Sequence, residues 1–362
     1  MQGIGLIIAF VVAIVLMIVA ISKWKVHPFL AIMTIALLLG LLAGIPLNNQ
    51  VNEDGSTRLG IANVIGQGFS GTFTSIGIVI ILGALIGTIL EVTGAAFKLA
   101  DVVVKVVGPK HPTLAIMLMG WIVSIPVFCD SGYVILNPIR KAMVRKTGVS
   151  SVAMTVALSA GLYASHVFIP PTPGPIAAAN TLFSGVNQPV NLLLVMGLGA
   201  LISVFALTGA YVYASFIGKR IQSDEEITTN EVHKTYEELK AEYGKIPTGW
   251  LSFAPIVVPI VLMALGSISA MAKWTGNLHN ILSFLGTPII ALAVGTIFAV
   301  FLLVTTDNLS RFYKVTDDTL RVVGPILFVT AAGGVLGKVI SESGMVAFIT
   351  GNTAFLQTMG LF

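Results

Sequence analysis

Ile125-Pro126-Val127-Phe128-Cys129-Asp130-Ser131-Gly132 interrupts an apolar stretch running from 112 to 139, and its reading decides the fold. Lys98, Lys105 and Lys110 precede the stretch; Arg140, Lys141, Arg145 and Lys146 follow it. Basic residues gather in short cytoplasmic loops, so both ends are expected in the cytoplasm. The stretch holds 28 residues, whereas two full crossings need about 40. A re-entrant hairpin follows, entering the membrane, turning at Asp130–Gly132 and leaving on the same side. Irregular backbone with a carboxylate at that depth survives only where protein or a water-filled cavity encloses it. Such an enclosure points to a transporter.

Composition sets the class. Hydrophobic residues make up 56% of the chain and charged ones 10%, against about 25% charged in a soluble domain. With a mean hydropathy of +0.94, the chain reads as an all-α polytopic membrane protein. The net charge of +4 lies in short loops between spans, which is topology information and does not imply a nucleic-acid partner. A single cysteine excludes an intramolecular disulfide and any multi-cysteine metal or redox motif. No basic residue precedes the first apolar run, so it reads as an uncleaved span and not a secretory signal. Lys23 and Lys25 follow that run and place the N-terminus outside.

Outward from the hairpin, spans are expected at 3–21, 28–47 and 76–96, with 61–75 lying at the interface. Residues 150–184 read as a helix broken at Ile169-Pro170-Pro171-Thr172-Pro173-Gly174-Pro175. A return span covers 190–217. Residues 218–249, rich in Glu and Lys, read as a cytoplasmic linker with a short amphipathic helix around 231–243. Further spans are expected at 250–272, 277–304 and 324–344, with a cytoplasmic or interfacial segment at 305–321.

Gly83, Gly87 and Gly94 recur at a constant offset of 250 as Gly333, Gly337 and Gly344, and the same offset lays 3–21 on 253–271. By the charge argument the two copies run in opposite directions, which predicts inverted-topology repeats with the site between them. The first repeat is 1–217, the linker 218–249 and the second repeat 250–362. The counterpart of the hairpin would fall near 375–382, so the second repeat is expected to be incomplete.

Both interruptions leave helix ends inside the membrane, and a helix N-terminus attracts anions through its unsatisfied N–H groups. The second hairpin arm is expected to start after Ser131-Gly132, and the second half of the broken helix at Pro175. Asp130, Ser131, Gly132, Thr172, Gly174 and Asn180 are the candidate substrate-binding residues. Asp130 is the first candidate for proton coupling, because a carboxylate in low dielectric loads and releases a proton near neutrality. It could equally cap the helix that follows. His166 titrates in the right range and sits beside the break, though a structural histidine reads the same way. Glu91, near the end of its span, is the third candidate, with packing as its alternative. Gly66-Gln67-Gly68-Phe69-Ser70-Gly71 fits a dinucleotide fingerprint only by spacing, since no βαβ unit surrounds it. No metal site, cofactor or enzymatic motif is expected.

The Ile125–Gly132 turn, the His166–Pro175 proline motif and the spans ending Glu91-Val92-Thr93-Gly94 and Ser341-Glu342-Ser343-Gly344 resemble the gluconate permease family of bacterial sugar-acid:proton symporters. The resemblance covers essentially the whole chain. It implies a multi-pass carrier of the bacterial inner membrane that imports gluconate or a related small sugar acid with protons. It also implies kinship with the ion transporter superfamily, hence a homodimer with paired hairpins. Cys129 stands where the family often has an aromatic residue, and family members continue past Phe362. Two alternatives stand beside that function: a carrier for another small carboxylate such as D-serine, or a truncated membrane protein that does not transport.

Overall fold

The computed structural model of the chain describes residues 3–51, 55, 57–108, 110–125, 129–170, 172–185, 190–221, 245–346 and 348. Among these residues its regular secondary structure is helical except for an antiparallel pair, Gln50–Val51 (β1) with Thr57–Arg58 (β2). Seven helical segments there are long and apolar enough to cross a bilayer, as the composition predicts. The expected amphipathic helix around 231–243 lies outside the described residues.

The chain forms two compact units, which do not follow the repeat boundaries read from the sequence. The first comprises Met1–Gly77 and Gly324–Phe362. It holds α1 (Ile4–Ser22), α2 (Pro28–Leu42) and α3 (Ile61–Thr72), followed by a π-helical turn at Phe73–Gly77, and the end of the long helix α14 (Phe312–Glu342). Its core joins Leu6, Ala36, Leu39, Val64, Val335 and Val339. Small residues let the backbones touch: a Cβ on Gly68 would lie 2.7 Å from the Val335 Cα. Phe69 stacks on Phe73 and on Phe328 at centroid distances of 5.2 and 6.2 Å, Phe73 is tilted against Phe328, and Phe29 meets Phe328 edge-on.

The second unit, Ile78–Val323, contains α4 (Ile78–Val92), α5 (Ala95–Val107), α6 (Pro112–Val123), α7 (Cys129–Thr147), α8 (Ser151–Phe168), α9 (Pro173–Gly185) and α10 (Leu192–Ile217). After the linker come α11 (Gly249–Met271), α12 (Asn277–Leu285) and α13 (Pro288–Thr305). Proline at the first helical position starts α6 and α13. The Ser150 side chain caps α8 by accepting from the Ala153 N–H, and Asn191 caps α10 by accepting from Leu194 N–H at 3.0 Å. α6 and α8 pack backbone to backbone through Gly120 and Gly161, where a Cβ on Gly161 would collide with the Met117 carbonyl.

Three boundaries differ from the sequence reading. Residues 61–75 are not a separate interfacial segment: Ile61–Val92 is one helical stretch of 32 residues. The pair 305–321 and 324–344 likewise merges into one long helix, Phe312–Glu342. In neither case does a residue between the pieces stop the helix: the π turn absorbs the first irregularity, and a membrane helix tolerates Pro325 in the second. Conversely, 277–304 is two helices, because Pro288 opens a new one after the Gly286-Thr287 break.

Candidate functional site

α6 ends at Val123 and α7 begins at Cys129, so the apolar stretch does break in its middle. Residues 126–128 lie outside the described residues. The second arm starts earlier than expected, at Cys129, which puts Asp130, Ser131 and Gly132 inside the first turn of α7 and not ahead of it. Pro126 accounts for the shift, since proline and the residue before it disfavour continuing helix and move the break upstream. α7 also runs on past 139 to Thr147. The side chains of Asp130, Ser131 and Asn180 lie outside the described residues; Gly132 is buried.

The second interruption is equally local. α8 stops at Phe168, and Ile169 turns extended at φ −115° and ψ 119°. α9 starts at Pro173, two residues before the expected Pro175, with Asn180 in its middle. Thr172 is buried, and its hydroxyl donates to the Ile169 carbonyl at 2.8 Å, fastening the break. Pro173 and Pro175 have no N–H, and Ile176 N–H points to the Thr172 carbonyl at 3.5 Å. Gly174, exposed and with open space around its Cβ position, lies in this first turn, where helix N–H groups lack an intrahelical acceptor.

The two interruptions meet in one apolar cluster. Ile169 packs with Met196 of α10, Met263 of α11 and Ala291 of α13, and Trp121, Ile125 and Phe168 pack against them. Trp121 and Ile125 lie at the α6 end of the hairpin break; Phe168 and Ile169 lie at the α8 end of the proline break. Trp121 donates its indole N–H to Ser203 Oγ of α10 at 3.0 Å, satisfying the ring's one polar atom inside the protein. Gly199 brings the α10 backbone against the Phe168 carbonyl, where a Cβ could not fit.

Other candidates are placed differently. His166 stands in the last turn of α8 with Nδ1 buried, beside the fully buried Ser165. Glu91 lies in the last turn of α4, partly buried. Cys129 is buried at the start of α7. Among the described residues no group of three or more His, Cys, Asp or Glu could hold a metal ion. In the first unit a cavity of about 580 Å³ is lined by Leu6, Ala43, Arg58, Glu342 and Phe348. Arg58 there donates to the Gly44 carbonyl at 3.1 Å, and Glu342 pairs with Lys338 at 2.8 Å, so its charges are already engaged. Gly66–Gly71 lies on α3, where Gly68 serves helix packing and not nucleotide binding.

Sequence reasoning missed Arg140. It reads as one of four cytoplasmic basic residues, yet it lies on α7 and is 2% exposed. Its Nε donates to Asn137 Oδ1 at 2.7 Å, and Nη1 donates to Ser151 Oγ at 2.7 Å and to the Ser151 carbonyl at 3.4 Å. The available signal was weak: Arg140 directly adjoins the apolar run, without a loop residue between.

A family model described as GntP family permease matches residues 5–359. An uncharacterized permease of Haemophilus influenzae is 34% identical over 348 residues, covering 93% of this chain and 68% of that protein. A gluconate permease of Zymomonas mobilis is 26% identical, covering 95% of this chain and 73% of its own length. A low-affinity gluconate transporter of Escherichia coli is 28% identical with the same two coverages, 95% and 73%.

Proposed function

The chain belongs to the GntP family of permeases, and from that premise we propose that it imports gluconate or a related small sugar acid by proton symport. It is a permease and not an enzyme, a multi-pass protein of the bacterial inner membrane. What carries the substrate class is the pair of helix starts, at Cys129 and Pro173, that follow two interruptions whose preceding ends pack in one cluster. Each interruption is followed by a helix, α7 or α9, whose first turn holds candidate residues. A helix N-terminus carries roughly half a positive charge and unpaired N–H groups, which suits a carboxylate. Gly174 N–H is the donor assigned on the α9 side; Ser131, Gly132 and Asn180 complete the set, with Thr172 holding the break that presents it.

Asp130 is the proton carrier in this reading, His166 the second candidate and Glu91 the third.

The inverted-repeat reading draws support from helix order. In the first unit, Gly68 lies against Val335 and Lys338 and Thr72 against Gly334, the order expected of two antiparallel helices. These belong to the two helices matched at the offset of 250. A homodimer is part of the same proposal. Helix ends recognise a carboxylate and little else of the molecule, so another small hydroxy or amino acid is the second reading.

Uptake of labelled gluconate into proteoliposomes tests the proposal. Gluconate accumulation that D-serine does not compete with supports the first reading. Strong competition favours the second, and no uptake of any small carboxylate rejects both.

A further inference from the structure

We infer that Arg140 is a positioning residue of the transport site, clamping the helix that carries Asp130 in its first turn to the start of the helix that ends at the proline break. Its role in transport rests on the function proposed above; the clamp itself does not. The guanidinium reaches Asn137 one turn earlier on α7 and both the hydroxyl and the carbonyl of Ser151, the first residue of α8. Ser151 is itself 2% exposed.

Two ordinary explanations for this arginine fail. A topological determinant acts from a loop facing headgroups and cytoplasm, and Arg140 is buried among protein atoms. A cation that simply stabilises a helix sits at the C-terminus, where the dipole is negative. Arg140 approaches the N-terminal end of α8, against the dipole. Among the described residues, directed hydrogen bonds tie it to both helices, which a planar fork provides and a lysine ammonium does not.

The clamp has leverage on the site. Asp130 lies ten residues before Arg140 on one helix, about 15 Å along its axis. A tilt of about 5° at the clamp therefore shifts the Asp130 turn by about 1 Å relative to α8. Asn137 accepts from the same guanidinium, so the angle between α7 and α8, and with it the position of the Asp130 turn relative to α8, is set from Arg140.

The chain's only cysteine reports on this without any substrate. Cys129 opens α7 and is 7% exposed. Maleimide labelling of Cys129 is measured in proteoliposomes of the full chain carrying Arg140→Gln, Arg140→Lys or Ser151→Ala. Thr319→Val, at another buried site of the same unit, is the control. Loosening the clamp raises local opening, and about a tenfold faster reaction is expected for Arg140→Gln and Ser151→Ala. Arg140→Lys should fall between, the double variant Arg140→Gln with Ser151→Ala should be no faster than the faster single one, and the control should match the parent. Gluconate uptake by the same variants should show a raised KM with the maximal rate largely kept. If Arg140→Gln does not fold, Ser151→Ala decides alone, since it removes the hydroxyl acceptor and leaves the guanidinium and the Ser151 carbonyl in place. Unchanged labelling and KM in folded variants overturns the clamp even where the parent transports normally. Faster labelling in a chain whose parent takes up no gluconate upholds the clamp and rejects the transport reading instead.

Discussion

The helical stretches Ile61–Val92 and Phe312–Glu342 carry the same glycine spacing 250 residues apart, yet they meet different surroundings. Gly83 and Gly87 are buried, while Gly333 and Gly337 are exposed. Both stretches are followed by a left-handed glycine, Gly94 at φ 71° and Gly344 at φ 75°. Near the middle the first has a π turn centred on Ser75, and the second carries Pro325, again 250 residues on, within continuous helix. The shared spacing thus goes with a shared length and end. It does not fix the neighbours, which are set by whatever packs against each helix.

The largest effect should separate packed from open glycines. Gly68→Leu forces a side chain against the Val335 Cα and the Gly334 carbonyl, both backbone atoms, and should destabilise by about 3 kcal/mol or prevent folding. Gly337→Leu, with nothing within 4 Å of its Cβ position, should change stability by no more than about 0.5 kcal/mol. Thermal unfolding in detergent compares them; equal losses would show that the two helices are packed alike after all.

A smaller effect is expected where the same two helices touch in the second unit. The Thr319 hydroxyl, 3% exposed, lies 3.0 Å from Thr88 Oγ1 and 2.7 Å from the Val315 carbonyl. Thr88→Val leaves Thr319 its backbone acceptor, so the loss should stay below about 1 kcal/mol. A double-mutant cycle with Thr319→Val should give a coupling of about 0.5 kcal/mol, and a value near zero would remove this contact from the account.

The smallest effect concerns the residue in which the copies differ most in chemistry. Glu91 stands where the second copy has Ser341. Glu91→Ser makes the first copy read like the second and should lower the uptake rate by about twofold without moving its pH profile, because coupling is assigned first to Asp130. A shifted pH profile would promote Glu91 to the coupling group.

Both interruptions were legible in the sequence to within a few residues because proline and glycine act locally. Pro126 disfavours helix at and before it, and the run Pro170-Pro171-Thr172-Pro173 cannot remain helical. The helix starts slipped, to Cys129 and Pro173, since proline fits the first turn and the backbone resumes helix at the earliest allowed residue. The long helices were not legible, because their polar first turns look like loops to a hydropathy window even though nothing there stops helix. Arg140 was hidden for another reason. Whether a basic residue faces water or Ser151 depends on where α8 packs, and no local pattern carries that. The cluster joining Trp121, Ile169, Met196 and Met263 is likewise a product of tertiary packing among five helices or breaks, each apolar for membrane reasons alone.

The central claim is that Asp130, in the first turn of α7, couples gluconate entry to protons. The direct measurement is accumulation of labelled gluconate in proteoliposomes under an imposed pH gradient, parent against Asp130→Asn, with gluconate exchange at equal pH as the companion reading. The account predicts gradient-driven accumulation by the parent, its loss in Asp130→Asn, and retained exchange, since the amide keeps the shape and hydrogen bonds but does not titrate. Accumulation by Asp130→Asn equal to that of the parent would contradict it.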